Sequence, residues 1–296
     1  MMPFYGRFDH FRLAVESILA QTDPDWRLTI LDDVNPDTAP GEWARQLDDN
    51  RIRYIRNDVN LRPSRNYNKA IGLATTEFVQ IMGCDDVMFP GYVRRVHELI
   101  GEFPGTDVIQ PGVGVIDEGG ERSRPLPDRV KRIYAPRGVL PREYRGEQLA
   151  VSLLRGNWTY FPSLTWRTAV VAGLGFRVDL DVVQDLAMLF EIVKLGGTLV
   201  VDAEQQFAYR RHSGSVSALT GPDGSKFRQE RLFFDEAAAA AEELGWMRAS
   251  RIARRHITSR LNALTELPSA LRAHNREGVT TLMQHVLRRP YTTLQD

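Results

Sequence analysis

The chain has 296 residues, enough for one large α/β domain or two smaller ones, and carries 38 basic and 38 acidic side chains. That neutrality argues against a nucleic-acid protein working by bulk electrostatics, and a lone cysteine, Cys84, excludes an intrachain disulfide or a cysteine zinc site. No apolar run reaches transmembrane length and no signal-peptide pattern opens the chain, so a cytoplasmic protein is expected.

Met1 to Arg7 reads as the stub of a strand followed by a loop, and Phe8 to Ala20 as a helix with Phe11, Ala14, Ile18 and Leu19 on one face. Trp26 to Leu31 and Ile52 to Ile55 read as strands. Ser64 is placed as the N-cap of a helix running through Ala70 to Leu73. A strand over Phe78 to Met82 follows, and Pro90 suits the first position of the next helix, ahead of Val93, Val96 and Ile100. Strand and helix patterns alternating at this pace indicate βαβ units and a mainly parallel sheet.

Beyond Asp107 the rhythm changes. Val108–Gln110 and Val113–Ile116 read as short pieces flanking turns, Glu118-Gly119-Gly120 as a hairpin tip, and residues 125 to 148 as an irregular crossing segment rich in Pro and Arg. Asp185 heads a helix with Leu186, Leu189, Phe190 and Val193 facing inward, closed by Gly196-Gly197. Thr198 to Val201 is a short strand, and most of the chain beyond Phe227 is helical. From Met247 onward nine arginines face only three acids. Three readings suit that tail: a solvated cap packed on the catalytic domain, a homodimer contact, or a surface meeting anionic lipid at the inner face of a membrane.

The informative chemistry lies in acids placed just past apolar strands. Leu28 to Leu31 ends in Asp32-Asp33, and Phe78 to Met82 ends in Gly83-Cys84-Asp85-Asp86. Ligands of open α/β sheets bind at the carboxyl ends of strands, so these carboxylates can converge on one cleft, and such pairs suit a hard divalent cation and a phosphorylated substrate. Each pair could instead serve a turn or cap a helix. Asp185 alone would suit an N-cap, and His212 a surface loop. Gly112-Val113-Gly114 lacks the third glycine and the following helix of a dinucleotide site, and no P-loop is present.

The ordered set Met2-Pro3-Phe4-Tyr5-Gly6-Arg7, Gln21-Thr22 with Trp26, Leu31-Asp32-Asp33, Asn60, Ser64-Arg65-Asn66, Gly83-Cys84-Asp85-Asp86 and Pro90 resembles the start of a family 2 glycosyltransferase of the GT-A fold. The likeness resumes at Gly156-Asn157, Pro162-Ser163, Gly175-Phe176 and Gln184-Asp185-Leu186, and ends with Tyr209 to Ser217. It implies a GT-A catalytic domain over residues 1–220, with a nucleotide half to about 105 and an acceptor half to 220, and a helical extension over 221–296. In that frame Pro3, Phe4, Tyr5 and Arg7 line the nucleotide pocket, and Asp33 bonds the base, favouring uracil or thymine. Arg65 lies against the nucleotide. Asp85 and Asp86 occupy the motif for the metal and the ribose-diphosphate, Asp185 the place of the general base of inverting members, and His212 the place of a late histidine reaching metal or diphosphate.

Two departures stand out. Gly83 replaces the usual first acid of the strand-end motif, and the first strand is clipped to about two residues, so a start codon further upstream is expected. The Gln-x-x-Arg-Trp signature of processive synthases is absent, which favours single-sugar transfer.

The expected reaction is inverting transfer of one sugar from a UDP- or dTDP-sugar to a hydroxyl of a glycan, glycolipid or small molecule. Mg²⁺ or Mn²⁺ on Asp86 and Asp85 assists it, with Arg211 or His212 supporting the diphosphate. Trp158 and Tyr160, with Phe161, are candidate acceptor-stacking rings; ordinary core packing suits them equally. A nucleotidyltransferase, a nucleotide-binding module without catalysis and a metal-dependent phosphatase are the alternatives from other classes.

Overall fold

The computed structural model describes residues 1–212 and 223–288. Three short apolar strands, β1 (Met2–Phe4), β2 (Leu28–Asp32) and β3 (Ile52–Arg56), pair in parallel in that order. Helices α1 (Phe8–Leu19) and α2 (Ala39–Arg45) connect them, as parallel pairing demands. Helix α3 (Arg62–Gly72) leads on to β4 (Phe78–Gln80). Met1 N donates to Gln80 O and Met82 N to Met1 O, the pattern of a parallel pair, so β1 and β4 join the first sheet to the second.

The second sheet is mixed, in the order β4-β8-β6-β9-β5, with β7 also on β9. Its strands are β5 (Val87–Met88), β6 (Val108–Ile116), β7 (Arg142–Arg145), β8 (Thr165–Arg167) and β9 (Thr198–Arg210). Between them run α4 (Tyr92–Glu102), α5 (Leu126–Tyr134), α6 (Gly146–Arg155), a 3₁₀ turn at Phe161–Ser163, α7 (Thr168–Leu174) and α8 (Gln184–Lys194). Helices α9 (Ser225–Glu243), α10 (Met247–Arg255), α11 (Ile257–Arg272) and α12 (Arg276–Leu287) follow. Among the described residues no helix is long and apolar enough to cross a membrane.

Five expectations need correcting. Ser64 lies inside α3, buried, its hydroxyl donating to Leu180 O rather than capping the helix. Pro90 precedes the N-cap, Gly91; its carbonyl accepts from Thr22 N and so anchors the loop after α1. The two pieces around Gly112 form one strand, because β9 pairs along its whole length and a bulge takes up the register shift; a Cβ on Gly112 would meet Ala203 O at 2.6 Å. For the same reason the strand beginning at Thr198 runs to Arg210. The crossing segment 125–148 contains α5 and β7, the latter held by antiparallel pairing to β9 rather than by any apolar alternation of its own.

The core has two main parts. One joins α1, β1 and β2 to α4 around Phe4, Phe11, Ile30 and Leu99. The other packs Leu186, Leu189, Phe190 and Val193 of α8 against α6 and against Phe233, Phe234, Ala237 and Ala241 of α9. Ala249 and Ala253 of α10 belong to that same cluster, and Arg248 N bonds Glu147 Oε1 at the head of α6. The arginine-bearing extension thus packs, through α9 and α10, against α6 and α8.

A smaller polar core holds the last helices. Ser259 of α11 bonds both Glu230 of α9 and His285 of α12, the latter at 2.7 Å, and His256 stacks on Phe234. Burial among Arg231, Arg260 and Arg288 lowers His285 to about 3 and His256 to about 4. Both imidazoles are therefore neutral in the folded state, while the unfolded chain takes up their protons below about 6.5. Their contribution is complete above that pH and is lost as pH falls towards 4. Glu230, raised by burial, works in the opposite sense, one group against two. The melting temperature is expected to fall between pH 6.5 and 4, and a His285→Phe variant should flatten that slope in circular-dichroism melts. An unchanged slope would reject the assignment.

Candidate active site

After β4, buried Ile81 and Met82 anchor the turn that presents Gly83 to Asp86. Asp86 is 1% exposed. Its Oδ1 accepts from Arg210 N at 2.8 Å, while its Oδ2 is buried and has no hydrogen-bond partner. An orphaned carboxylate oxygen of this kind is costly unless something fills the space before it. Burial and the like charge of Asp85 hold Asp86 well above the usual carboxylate range.

Gly83 explains how the two acids face each other. A Cβ there would lie 2.5 Å from Asp86 Oδ2 and 2.9 Å from Asp85 Oδ1, so both oxygens look into the space a side chain would occupy. Among the described residues no three His, Cys, Asp or Glu side chains converge on a metal site. Two carboxylate oxygens do fit the usual protein share of a Mg²⁺ site, which substrate phosphates and water complete.

Arg210, the last residue of β9 and part of the Tyr209–Ser217 segment to which no role attached, organises this turn. Buried to 3% exposure, it donates Nε to Asp85 O at 2.6 Å and a terminal nitrogen to Asp117 O and Glu118 O at the hairpin tip. Its neighbour His212 bonds Asp85 Oδ2 at 2.6 Å, which raises the imidazole's pKa. Ser213 to Ser217 lie outside the described residues. Arg211 turns the other way and grips Asp128 with two bonds of 3.0 and 2.9 Å. Tyr160 donates its hydroxyl to the same carboxylate.

Asp185 sits in the first turn of α8 without capping it, because Val183 holds the N-cap position. Its Oδ2 accepts from Asn157 Nδ2 at 2.9 Å. Burial raises the hydroxyl of Tyr67 on α3, and the charges of Asp85 and Asp185 both add to that shift. Burial lowers Lys131, beside Thr159 O, to about 8, with Asp185 among the acids opposing that shift.

The nucleotide-side residues divide into structural and free groups. Phe4 is fully buried against Phe11, and Pro3 sits beside it in β1, whereas Tyr5 is 57% exposed at the strand end. Arg7 pairs with Asp9 and Glu118, tying the β1 loop to the hairpin tip. Asp32 is spent on Tyr54, Arg56 and Asn35 N. Asp33 accepts from Asn57 Nδ2 and Leu61 N, each at 2.7 Å, and from Arg62 N at 3.0 Å. With about four acceptor positions on a carboxylate, one remains for a ligand. Arg65 is exposed on α3 and forms no ion pair among the described residues. Trp158 is 1% exposed and donates to Ser152, so its ring belongs to the core; Tyr160 lies 9% exposed beside it.

A family model described as Glycosyl transferase family 2 matches residues 1–155. The succinoglycan biosynthesis protein ExoO of Rhizobium meliloti is 26% identical over 216 residues, covering 73% of this chain and 61% of its own length. An uncharacterized glycosyltransferase, MJ1057 of Methanocaldococcus jannaschii, is 24% identical, covering 60% and 57%. The chain thus spans about three fifths of these relatives. In three dimensions it resembles S. aureus TarS in complex with UDP-GlcNAc, with a TM-score of 0.62 at 15% identity, over 98% of this chain and 92% of that one. That likeness shows the shared GT-A fold.

Proposed function

Because the chain belongs to glycosyl transferase family 2, we propose that this enzyme moves one sugar from a pyrimidine nucleoside-diphospho-sugar to an acceptor hydroxyl, with inversion. The observation carrying this reading is the unpartnered Asp86 Oδ2 facing Asp85 Oδ1 across Gly83. Uridine is favoured over other bases because TarS, of the same fold, is seen with UDP and with UDP-GlcNAc.

Asp185 takes the proton of the acceptor hydroxyl as that oxygen bonds to the anomeric carbon and the bond to the diphosphate breaks. Attack from the face opposite the leaving group inverts the centre. Asn157 aims the carboxylate. A divalent cation, Mg²⁺ or Mn²⁺, held by Asp85 and Asp86 would neutralise charge on the departing nucleoside diphosphate. His212 and Arg210 fix the pair that holds it, from the side chain and the main chain of Asp85 respectively. Arg211, committed to Asp128, supports the acceptor side rather than the diphosphate in this arrangement.

Thermal shift with UDP, dTDP, GDP, ADP and CDP, each with and without Mn²⁺, tests the donor site. One pyrimidine diphosphate is expected to raise the melting temperature only with metal, and Asp86→Ala to abolish the rise. A ligand at a hundred times its Kd stabilises by about 2.7 kcal/mol, a readily measured shift. No response to any nucleotide would overturn the proposal.

A further inference from the structure

Beyond Asp128 and Tyr160 lies a cavity of about 620 Å³ between the bulged part of β6 and β9 and helix α5. Its volume falls within the range of small-molecule sites. What distinguishes it is charge. Arg122, Arg124, Arg129 and Arg132 all line it, all are exposed, and none makes a side-chain hydrogen bond or ion pair among the described residues. The two acids in its wall are already taken: Asp128 by Arg211 and Tyr160, Asp202 by Arg95 at 2.8 Å. Four arginines thus line one cavity whose wall holds no acid free to balance them, a charge that suits a planar or tetrahedral oxyanion.

The cavity is wired to the proposed general base, Asp185. Lys131 in its wall donates to Thr159 O, Thr159 Oγ1 donates to Asn157 Oδ1 at 2.6 Å, and Asn157 donates to Asp185. An anion seated among the arginines therefore lies a short hydrogen-bonded chain from the group that receives the acceptor proton. Resting on the transferase reading above, we propose that this cavity is the acceptor subsite and that it takes a phosphate group carried by the acceptor, so that the enzyme acts on phosphorylated rather than neutral acceptors. Arg122, Arg124, Arg129 and Arg132 then set acceptor specificity, and the Asp128–Arg211 pair forms the wall between phosphate and donor.

The phosphate can belong to a soluble sugar phosphate or to a lipid-linked one, and two arms separate these. In the first, inorganic phosphate is titrated by calorimetry into the full chain at low salt, with UDP and Mn²⁺ present, for wild type and for Arg129→Gln/Arg132→Gln. In the second, the same proteins are floated with vesicles of phosphatidylcholine alone or with phosphatidic acid. A phosphate affinity that falls at least about tenfold in the variant supports the subsite, as loss of charge-assisted bonds requires. Vesicle binding that needs phosphatidic acid and these arginines supports it with the phosphate on a lipid. Equal behaviour of both proteins in both arms overturns it. Both arginines are exposed, so the variant should fold, and its unchanged UDP–Mn²⁺ thermal shift verifies this. Absence of that shift from the wild type would instead sink the donor reading, independently of the arginines.

Discussion

Asp185→Asn is expected to lower kcat by about 10²–10⁴-fold while leaving donor affinity nearly unchanged, the range for loss of a positioned general base. The substitution is isosteric, and the new amide oxygen can still accept from Asn157. The carboxylate does not cap α8, so only its attraction to the helix N-terminus is lost, about 0.3–1 kcal/mol. Leu186, Leu189 and Phe190 keep the helix in the core. A fold defect is therefore not the expected cause of inactivity. Initial rates at saturating donor, with a melt of the same preparation, check this. A kcat within threefold of wild type would show that another group takes the proton.

Gly83→Ala should be nearly as damaging, although it adds one methyl group. That methyl would stand 2.5 Å from Asp86 Oδ2 and 3.3 Å from its carboxyl carbon. Asp86 cannot swing aside freely, because Arg210 N holds its other oxygen and the side chain is buried. The turn must shift, and the two carboxylates lose their common focus. We expect a loss of roughly 10²-fold in transfer, the scale of removing one electrostatic stabiliser of a developing charge. A matching rise in the Mn²⁺ concentration needed for the nucleotide thermal shift should accompany it. Gly83→Asp, which restores the acid usual at this place in the family, should fare no better, since its Cβ meets the same oxygens. Higher activity in Gly83→Asp would refute this account of the turn.

The parts of this molecule legible in the sequence were those governed by local pattern. The helix carrying Asp185 declared itself through Leu186, Leu189, Phe190 and Val193, all buried as expected. The acidic turn followed from an apolar strand that stops abruptly. Long-range pairing was not legible. Nothing local marks Arg142–Arg145 as a strand, since Arg-Glu-Tyr-Arg has no apolar face and is ordered only by β9. Pro111-Gly112 reads as a break, yet a partner strand carries β6 through it with a bulge. The role of Arg210, within the Tyr209–Ser217 segment, is not legible locally because its contacts, Asp85 and the hairpin tip, lie some 90 to 125 residues away. Asn157, adjacent to Gly156 in the chain, gains its role only through its bond to Asp185, 28 residues away.

The four closing helices bear on how the enzyme could be dissected. Phe233, Phe234, Ala237 and Ala241 share a core with the very helix that holds Asp185. A fragment ending near residue 220 would bare that apolar wall to water and remove the footing of the proton acceptor. The match to the family model stops at residue 155, but independence of folding does not follow that line. Minimal versions of the enzyme, and chimaeras that exchange its acceptor-side elements, will need the extension carried along with α6 and α8 as one inseparable unit.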